Sequence, residues 1–297
     1  IAIFIIIVIF GYLLIKLLRK TRLYNKELHI KNTEISNQNI KIALQNKEIT
    51  DSIVYARRIQ HAILPPQEII KNSIPDHFIL FKPRDIVSGD YYWMTQIDKK
   101  IIITAADCTG HGVPGAFMSL LGITFLNEIV HEKKIVQPEK ILDELRIRIM
   151  NSLNKNSQTE EYKDGMDMAI CMINQETLEL EYSGAYNSLY FIRNGELEEI
   201  KADKMPVGLS EKMNQPFKVN KQKLQKNDSF YLFSDGYADQ FGGPDDRKFM
   251  TKAFKKLLLE IQTSSMDEQK VILENTFEKW RGKTEQIDDI LVIGLKI

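Results

Sequence analysis

Residues 101–115, IIITAADCTGHGVPG, begin as an apolar strand and pass through an aspartate into a glycine-rich turn. Gly110, Gly112 and Gly115 are predicted to let this loop turn tightly before a helix begins. A carboxylate at the end of a core strand leaves water at a high free-energy cost unless a positive partner compensates its charge. The position of Asp107 therefore raises the question of what binds it.

Three further motifs place a carboxylate where a core strand meets a loop. SGD ends at Asp90 and opens a strand, SDG contains Asp235 and closes one, and the pair Asp288-Asp289 opens the last strand. No Lys or Arg is adjacent in sequence to Asp107, Asp235 or Asp288. Mg²⁺ and Mn²⁺ prefer oxygen ligands and bind through a few carboxylates. The pattern therefore predicts a Mg²⁺ or Mn²⁺ centre.

Two divalent ions that share one carboxylate can activate a water for in-line attack on phosphorus. Such a reaction requires no covalent nucleophile. The sequence contains no G-x-S-x-G elbow, no C-x₅-R signature, no Walker A motif and no H-E-x-x-H motif. These absences accord with metal-dependent phosphoester hydrolysis.

The ordered motifs SGDYYW, AADCTGHGVPGAFMS, FSDGYADQ and IDDILVIGL resemble those of the SpoIIE-type serine phosphatases. This family is the bacterial branch of the metal-dependent protein phosphatases related to protein phosphatase 2C. The resemblance covers about residues 52–297. It implies an α/β (α+β) fold, a protein phosphatase 2C-like α-β-β-α sandwich of two antiparallel sheets flanked by helix pairs.

The resemblance also implies a set of metal ligands for two Mn²⁺ or Mg²⁺ ions. They are Asp90, Asp107, the backbone carbonyl of Cys108, Asp235 and Asp288. By resemblance, Asp107 bridges the two ions, and Asp90 binds one of them directly or through water. Asp235 and Asp288 hold the other ion. The first residue of the Asp288-Asp289 pair is favoured because the family ligand is followed by an Asn, which Asp289 replaces.

Other residues near these motifs have more than one interpretation. Arg84 either holds the substrate phosphate through its planar fork, as an Arg near this place does in the wider class, or is an ordinary surface arginine. His111 is a general acid or a loop-capping or solvent-facing side chain. Asp167, with Asp164 nearby, binds a further, weaker ion or caps a turn. Cys108 stands where the family often has Gly, which a carbonyl ligand tolerates, and its thiol is redox-sensitive or inert.

Residues 1–18, IAIFIIIVIFGYLLIKLL, are almost continuously apolar and long enough to cross a bilayer as a helix. A buried core helix, the alternative, normally has a polar face, and this segment has none before Lys16. Arg19, Lys20 and Arg22 follow, and such an excess of positive charge marks the cytoplasmic side of a span. The sequence therefore predicts a single-pass protein of the cytoplasmic membrane with its catalytic domain in the cytoplasm.

Residues 19–66 are predicted to form a coiled-coil signalling linker. Apolar residues occupy heptad position d at Leu28, Ile35, Ile42, Ile49, Ala56 and Ile63, and position a holds Asn25, Asn32, Asn39, Asn46 and then Ile53. A buried Asn at a fixes register in a parallel pair at a cost in stability. We therefore expect a metastable parallel homodimer through residues 25–63, strongest over residues 49–63. A single amphipathic helix lying on the domain is the alternative.

Residues 52–66, SIVYARRIQHAILPP, resemble the stretch that precedes the catalytic domain in this family. By resemblance they belong to a regulatory helical element. Pro65-Pro66 is predicted to end the helix. A rotation or register change in this segment is a hypothesis for how the metal-binding loops are ordered or disordered.

Residues 67–297 are predicted to form the phosphatase domain. The predicted strands are residues 77–81, 91–97, 101–106, 167–173, 178–183, 188–193, 229–234 and 290–297, and the predicted helices are residues 115–132, 138–154, 248–262 and 266–281. Strands in runs and helices in pairs favour antiparallel sheets covered by helix pairs. Residues 151–164 are predicted to be a mobile loop.

Composition excludes several other classes of function. Lys plus Arg (40) equals Asp plus Glu (40), so the chain lacks the basic character of a nucleic-acid-binding protein. Cys108 and Cys171 are far apart and form no C-x-x-C motif, so neither a disulfide framework nor a thiolate metal site is indicated. A nucleotide cyclase on a coiled-coil stem would need a nucleotide-phosphate loop, which the sequence does not show.

The sequence thus predicts a membrane-anchored, Mn²⁺- or Mg²⁺-dependent protein serine/threonine phosphatase of bacterial signal transduction. The resemblance implies that its substrate is a phosphoserine regulator, a STAS-domain antagonist of an anti-sigma protein. The alternative is a non-catalytic relay that keeps the fold and binds a partner. The four intact acidic motifs argue against it, because a relay need not keep a metal site.

Overall fold

The computed structural model describes residues 1–154 and 164–297, which form two compact units, Ile1–Tyr55 and Ala56–Ile297. The first unit consists of the greater part of helix α1 (Ala2–Ile63), and its apolar side chains are exposed except those of Ile53 and Val54, which are half-buried. Helix α1 ends before Pro65-Pro66, as predicted. Its last residues, 56–63, belong to the second unit.

Two helical stretches among the described residues are long and apolar enough to cross a membrane. None of the apolar window near the N-terminus is buried, whereas half of the window in Gly112–Glu132 is buried. The second stretch is a core helix of the larger unit. Length and composition alone support a span in the first, so the membrane anchor stays a prediction.

The larger unit is a sandwich of two antiparallel sheets. The strands are β1 (His77–Lys82), β2 (Tyr91–Ile97), β3 (Lys100–Cys108), β4 (Gly165–Asn174), β5 (Glu179–Ala185), β6 (Leu189–Arg193), β7 (Glu196–Ile200), β8 (Val207–Gly208), β9 (Asn220–Lys223), β10 (Ser229–Phe233), β11 (Phe241–Gly242), β12 (Arg247–Lys248) and β13 (Ile290–Lys296). One sheet has the order β1-β13-β10-β6-β7. The other has the order β2-β3-β4-β5-β9, with β8 paired to β4, and β11 and β12 form a small separate ribbon.

Helix pairs cover the outer faces of the sandwich. The helices after α1 are α2 (Gln67–Ser73), α3 (Gly112–Asn127), α4 (Pro138–Asn154), α5 (Gly236–Asp239), α6 (Thr251–Ile261) and α7 (Met266–Arg281), and a π-helical turn (Glu128–Glu132) extends α3. Apolar side chains of α3 and α4 join the core that lies between the sheets, and those of α6 and α7 form a second core. The predicted α-β-β-α sandwich is confirmed.

The last motif, IDDILVIGL, is apolar at consecutive positions because strand β13 is buried on both of its faces. Leu291 and Ile293 belong to the core between the sheets, whereas Ile290 and Val292 pack in the second core against α6 and α7. Because successive side chains of a strand point to opposite faces, a strand covered on both sides is apolar at every position. Burial on both faces fixes where β13 begins, and it thereby fixes the position of Asp288 in the loop before the strand.

The predicted strands and helices are all present, with small shifts at their ends. The short edge strands β7 and β9 were not predicted, because ELEEI and NKQK are charged and lack a strong apolar pattern. Helix α6 begins at Thr251 because the two residues 247–248 pair with β11 instead. Of the predicted mobile loop, residues 151–154 are helical and residues 155–163 lie outside the described residues.

Gly122 allows α3 to lie directly against β2. A Cβ atom at this position would stand 2.8 Å from Cζ of Tyr91. Tyr91 cannot move aside, since it is fully buried and its hydroxyl donates to Sδ of Met166 at 3.3 Å. Close contact of helix and sheet therefore depends on the absence of a side chain at residue 122.

We expect Gly122→Ala to destabilise the larger unit by about 1–3 kcal/mol, because the added methyl overpacks a filled core. That loss corresponds to a fall in Tm of roughly 2–4 °C per kcal/mol for a unit of this size. Thermal unfolding of the full chain in detergent micelles measures it. Thr124→Ala, on the exposed face of the same helix, is the control and should leave Tm nearly unchanged. Equal Tm values for the two variants would contradict the packing argument.

Candidate metal centre

Five carboxylates converge at one end of the sandwich, each delivered by the end of a strand. Asp90 precedes β2, Asp107 lies near the end of β3, Asp167 lies near the start of β4, Asp235 follows β10 and Asp288 precedes β13. Four of them, Asp107, Asp167, Asp235 and Asp288, line a cavity of about 300 Å³ with residues 108–111. Both sheets therefore contribute carboxylates to one site.

The carboxylates raise one another's pKa values. Burial, and then the charges of Asp235 and Asp288, raises the pKa of Asp107 to about 8. Burial raises the pKa of Asp167 to about 7, with a further contribution from Asp235. Burial and the charge of Asp288 raise the pKa of Asp235 to about 6. At neutral pH this site therefore carries protons or needs another source of positive charge.

Asp90 lies behind the cavity lining and is the most buried of the five carboxylates. Burial, followed by the charge of Asp107, raises its pKa well above the ordinary value. Ser234 Oγ donates a hydrogen bond of 2.5 Å to Asp90 Oδ2. This bond joins the loop before β2 to the loop after β10.

The donor set of this site fits hard divalent cations. Within residues 1–154 and 164–297, no salt bridge reaches any of the five carboxylates. In the same ranges, no group of three or more Asp, Glu, His or Cys side chains is placed so that it could hold a metal ion by itself. Mg²⁺ keeps several waters and binds through one or two carboxylates, so an open cavity lined by carboxylates suits it.

Asp107 and Asp167 face each other across the β3–β4 ladder. Like charges directly opposite in a sheet are destabilising, which indicates that the pair is kept for binding rather than for stability. Sequence reasoning left Asp167 open between a metal ligand and a turn cap. The structure places it in the cavity lining, whereas Asp164 is not part of that lining. The register of β4 against β3, which puts Asp167 opposite Asp107, could not be read from the sequence alone.

Gly89 and Gly115 allow backbone contact between the loop before β2 and the segment that follows β3. A Cβ atom at Gly89 would stand 2.5 Å from the carbonyl oxygen of Gly110, and one at Gly115 would stand 2.8 Å from Cα of Gly89. Gly110 and Gly112 have positive φ angles of 83° and 63°, so the predicted tight turn is present there. Gly115 instead lies inside α3, where its role is close approach.

The two residues of the Asp288-Asp289 pair have different environments. Asp288 lines the cavity. Asp289 is buried, and its carboxylate accepts hydrogen bonds of 2.7 Å from the backbone N–H groups of Arg84 and Gly89. Asp289 thus holds the loop that leads to Asp90. Sequence reasoning did not foresee this role, because a distant backbone partner leaves no local pattern.

His111 lies at the rim of the cavity and pairs with Asp85. Its Nδ1 lies 2.7 Å from Asp85 Oδ2, and both side chains are about half exposed. A carboxylate partner holds the proton on Nδ1 and orients the ring. The structure therefore gives His111 a fixed position beside the carboxylates, a partner that the sequence did not reveal.

Arg84 does not line the carboxylate cavity. Its guanidinium donates a 2.9 Å hydrogen bond to the carbonyl of Ile287, and it lines a neighbouring cavity together with Asp85 and Arg281. Ile287 directly precedes Asp288, so this bond holds the guanidinium near the carboxylates. A phosphate-binding role for Arg84 stays a prediction. Cys108 contributes backbone to the cavity lining, while its thiol is buried and has a raised pKa, first because of burial.

A family model described as stage II sporulation protein E (SpoIIE) matches residues 97–297. The chain belongs to the SpoIIE family. The SiaA-PP2C domain of Pseudomonas aeruginosa is 30% identical to this SpoIIE-family chain, with a TM-score of 0.76, and the match covers 85% of this chain and 98% of that one. The family resemblance predicted from the four motifs is therefore confirmed.

Two more distant structures share the fold of this SpoIIE-family chain. The PP2C phosphatase domain of SpoIIE from Bacillus subtilis, solved with a fragment of its regulatory domain, has a TM-score of 0.61 and 18% identity, over 75% of this chain and 63% of that one. RsbX in complex with magnesium has a TM-score of 0.51 and 16% identity, over 74% and 94%. No curated protein sequence matches the chain.

The raised pKa values predict how the stability of the metal-free protein depends on pH. A carboxyl whose pKa is higher in the folded state binds more protons when folded, so the free energy of unfolding falls as pH rises through the window between the two pKa values. For Asp107 this window runs from 3.8 to about 8. We therefore expect the Tm of the chelator-treated chain to fall between pH 5 and pH 8.

Mn²⁺ should raise Tm more at pH 8 than at pH 5, because bound metal requires deprotonated carboxylates. Asp107→Asn removes one buried charge and should make the metal-free chain more stable than the wild type at pH 8. Asp245→Asn, at an exposed site paired with Arg247, is the control for loss of an aspartate. A metal-free Tm that does not change over this pH range would contradict the electrostatic account.

Proposed function

We propose that this chain is a Mn²⁺- or Mg²⁺-dependent protein serine/threonine phosphatase that binds two ions. The observation that carries the proposal is a group of five carboxylates from both sheets, four of which line one cavity while the fifth, Asp90, is buried behind it. Their mutual repulsion opposes folding, and divalent cations would relieve it. Membership of the SpoIIE family supports phosphoester hydrolysis as the chemistry.

Each carboxylate has a proposed part in holding the ions. By the family resemblance, Asp107 would be the ligand that both ions share, and the backbone carbonyl of the next residue, Cys108, would be a further ligand. Asp90 binds on the inner side, directly or through water. Asp235 and Asp288, which come from the sheet that contains β10 and β13, would hold the other ion. When bound, two ions act as Lewis acids on the phosphate and lower the pKa of a water for in-line attack.

The remaining residues of the site would act on the substrate. Arg84 is proposed to hold a phosphate oxygen pair with its planar guanidinium, after releasing the carbonyl of Ile287. His111, oriented by Asp85, is placed at the rim, where it can transfer a proton to the departing serine oxygen. Asp167 is proposed to strengthen the binding of cations on its side of the cavity.

A non-catalytic relay is the second candidate function. A relay could keep the sandwich, but it would gain nothing from like charges opposite each other in a ladder, as at Asp107 and Asp167. Replacement of such charges by neutral residues would stabilise it. The retained carboxylates therefore favour the enzyme.

The proposed substrate is a phosphoserine protein, a STAS-domain antagonist of an anti-sigma protein. A structure with the same fold, at 18% identity and a TM-score of 0.58, contains the RsbU and RsbW domains of Rv1364c from Mycobacterium tuberculosis. That likeness supports the fold alone, so the substrate rests on the family resemblance. We further propose that residues 1–18 anchor the chain in the cytoplasmic membrane as a single span, and that residues 25–63 form a parallel homodimer.

Mn²⁺-dependent phosphate release by the full chain in detergent micelles tests the catalytic proposal. The substrates are p-nitrophenyl phosphate and a phosphoserine peptide. Asp107→Asn and Asp235→Asn should each lower the rate by more than about 100-fold, because loss of a ligand costs more than loss of a residue that supports one. Asp245→Asn should retain the wild-type rate.

The outcomes separate the two candidates. Release of phosphate that requires Mn²⁺ and is lost in both ligand variants supports the enzyme. A folded wild type that neither binds Mn²⁺ nor hydrolyses either substrate would support the relay. Activity that persists in Asp107→Asn would place the catalytic centre elsewhere.

Cysteine cross-linking in membranes tests the proposed dimer. Cysteines substituted at Ile35 and Ile42 occupy position d and should cross-link between copies. A cysteine at Asn37, two positions after d, points away from the seam of a parallel pair and should cross-link much less. Equal cross-linking at the three positions, or none at Ile35 and Ile42, would contradict the heptad assignment.

A further inference from the structure

Gln240 is a fully buried polar side chain in the segment that follows α5. It comes directly after Asp239, the last residue of that short helix, and its exposed fraction is 0%. The mechanism proposed for the site gives this residue no part. A buried carboxamide is costly unless its donors and its acceptor are satisfied. Its hydrogen-bond partners therefore indicate what the side chain does.

The carboxamide of Gln240 makes three hydrogen bonds, all to main-chain groups. Oε1 accepts from the N–H of Ile287 at 3.2 Å, and Nε2 donates to the carbonyl of Glu285 at 2.9 Å. Nε2 also donates to the carbonyl of Phe241 at 2.9 Å. Two of the three bonds thus reach the loop before β13, and Ile287 is the residue next to Asp288.

Side chains supply the support of this loop. In the part of the chain that the structure describes, the main chain of residues 285–288 makes no hydrogen bond to another main-chain group. Arg84 donates to the carbonyl of Ile287 at 2.9 Å, and the side chain of Gln286 donates to the carbonyl of Asp288 at 2.8 Å. The position of the loop therefore depends on which side chains bind it.

The hold by Gln240 differs from the hold by Arg84. In the proposed mechanism, Arg84 releases the carbonyl of Ile287 when it takes the substrate phosphate. Gln240 is closed to solvent, so neither water nor substrate competes for its amide. Its two bonds to the loop therefore stay in place while the guanidinium moves.

The other end of this connection is the turn that carries Asp235. In α5 the N–H groups of Ala238 and Asp239 both donate to the carbonyl of Asp235 at 3.0 Å, so Gln240 follows a closed turn. Strands β10 and β13 are paired and antiparallel. Asp235 after β10 and Asp288 before β13 therefore leave the sheet at the same edge. Gln240 joins the two segments that deliver these carboxylates.

We propose that Gln240 is a positioning residue of the metal centre, which sets the separation of Asp235 and Asp288. These two carboxylates are the proposed ligands that the sheet of β10 and β13 contributes. The inference rests on their proposed function as metal ligands. Gln240 itself contributes no ligand and acts through the main chain of the loop before β13.

Gln240→Met is the decisive substitution, because methionine has a similar length and cannot donate to the two carbonyls. The main chain at residue 240 is held independently, since its carbonyl accepts from the N–H of Phe249 at 2.9 Å and from Nε1 of Trp280 at 3.0 Å. Removal of residues that support metal ligands typically lowers metal affinity by about 10–100-fold. We expect the Mn²⁺ affinity to fall within this range.

Gln269→Met is the matched control. Gln269 is also fully buried, and its carboxamide also makes three hydrogen bonds, to Tyr231, Gln262 and Ser264. None of these partners lies in a loop that carries a carboxylate of the site. Both substitutions leave buried groups without partners and should lower Tm. Only Gln240→Met should also lower the Mn²⁺ affinity.

The experiment uses the full chain in detergent micelles. Calorimetric titration with Mn²⁺ gives the affinity, and hydrogen exchange of peptides that contain Ile287 gives the state of the loop without metal. Exchange at Ile287 should be faster in Gln240→Met, because its N–H loses its acceptor. Gln240→Asn is one methylene too short to reach the loop, and it replaces Gln240→Met if that variant does not fold.

The proposal is supported if a folded Gln240 variant loses tenfold or more in Mn²⁺ affinity and exchanges faster at Ile287, while Gln269→Met keeps the wild-type affinity. A smaller loss overturns it, even if Tm is lower. An equal loss in Gln269→Met overturns it as well, because the effect would then follow from lower stability alone. A wild type that binds no Mn²⁺ overturns the proposed metal centre and this inference together, whereas unchanged binding in the variant overturns the inference alone.

Discussion

Repulsion among buried carboxylates is the constraint on which the architecture of this site depends. Asp90 and Asp107 stand behind and within the cavity, and burial makes the charged form of each unfavourable. A chain can hold such groups together only if its backbone is fixed from several directions. The sandwich meets this requirement because strand ends that are far apart in sequence meet at one edge. Hydrogen bonds join the loops there to one another.

The second layer around the carboxylates is built from neutral donors and from glycine. Ser234 donates to Asp90, while backbone N–H groups donate to Asp289. The contact between Gly89 and Gly110 brings two loops to a separation that a side chain at residue 89 would prevent. These groups fix geometry without adding positive charge, so the negative potential of the cavity is preserved for a cation.

Sequence patterns predicted the elements whose burial is strong. The strand before Asp107 and the strand after Asp288 are apolar throughout because both faces are covered, and both were placed correctly. The edge strands β7 and β9 were missed because most of their side chains are charged, and the two apolar residues of β7, Leu197 and Ile200, are too few to give a clear pattern. Helix α5, a single turn of four residues directly after Asp235, is too short to produce a periodic pattern.

Local motifs identified the acidic residues but not their arrangement. The role of Asp167 depends on the register of β4 against β3, and the roles of Asp289 and Gln240 depend on partners far away along the chain. Such long-range pairings leave no spacing rule in one sequence. Asp85 is a similar case, since its relation to His111 arises only when two loops fold together.

The position of Gln60 in the heptad pattern has a consequence for the linker. Residue 60 is seven positions after Ile53 and therefore falls at position a of the same repeat. In the structure this side chain bonds the backbone of Ser88, in the loop before β2. A paired stem that continued its seam to residue 60 would need the same side chain at the contact between the two helices. Pairing of the helices through residue 63, as proposed for the linker, therefore requires Gln60 to leave Ser88, and the paired seam ends before residue 60 while Gln60 holds the Ser88 loop.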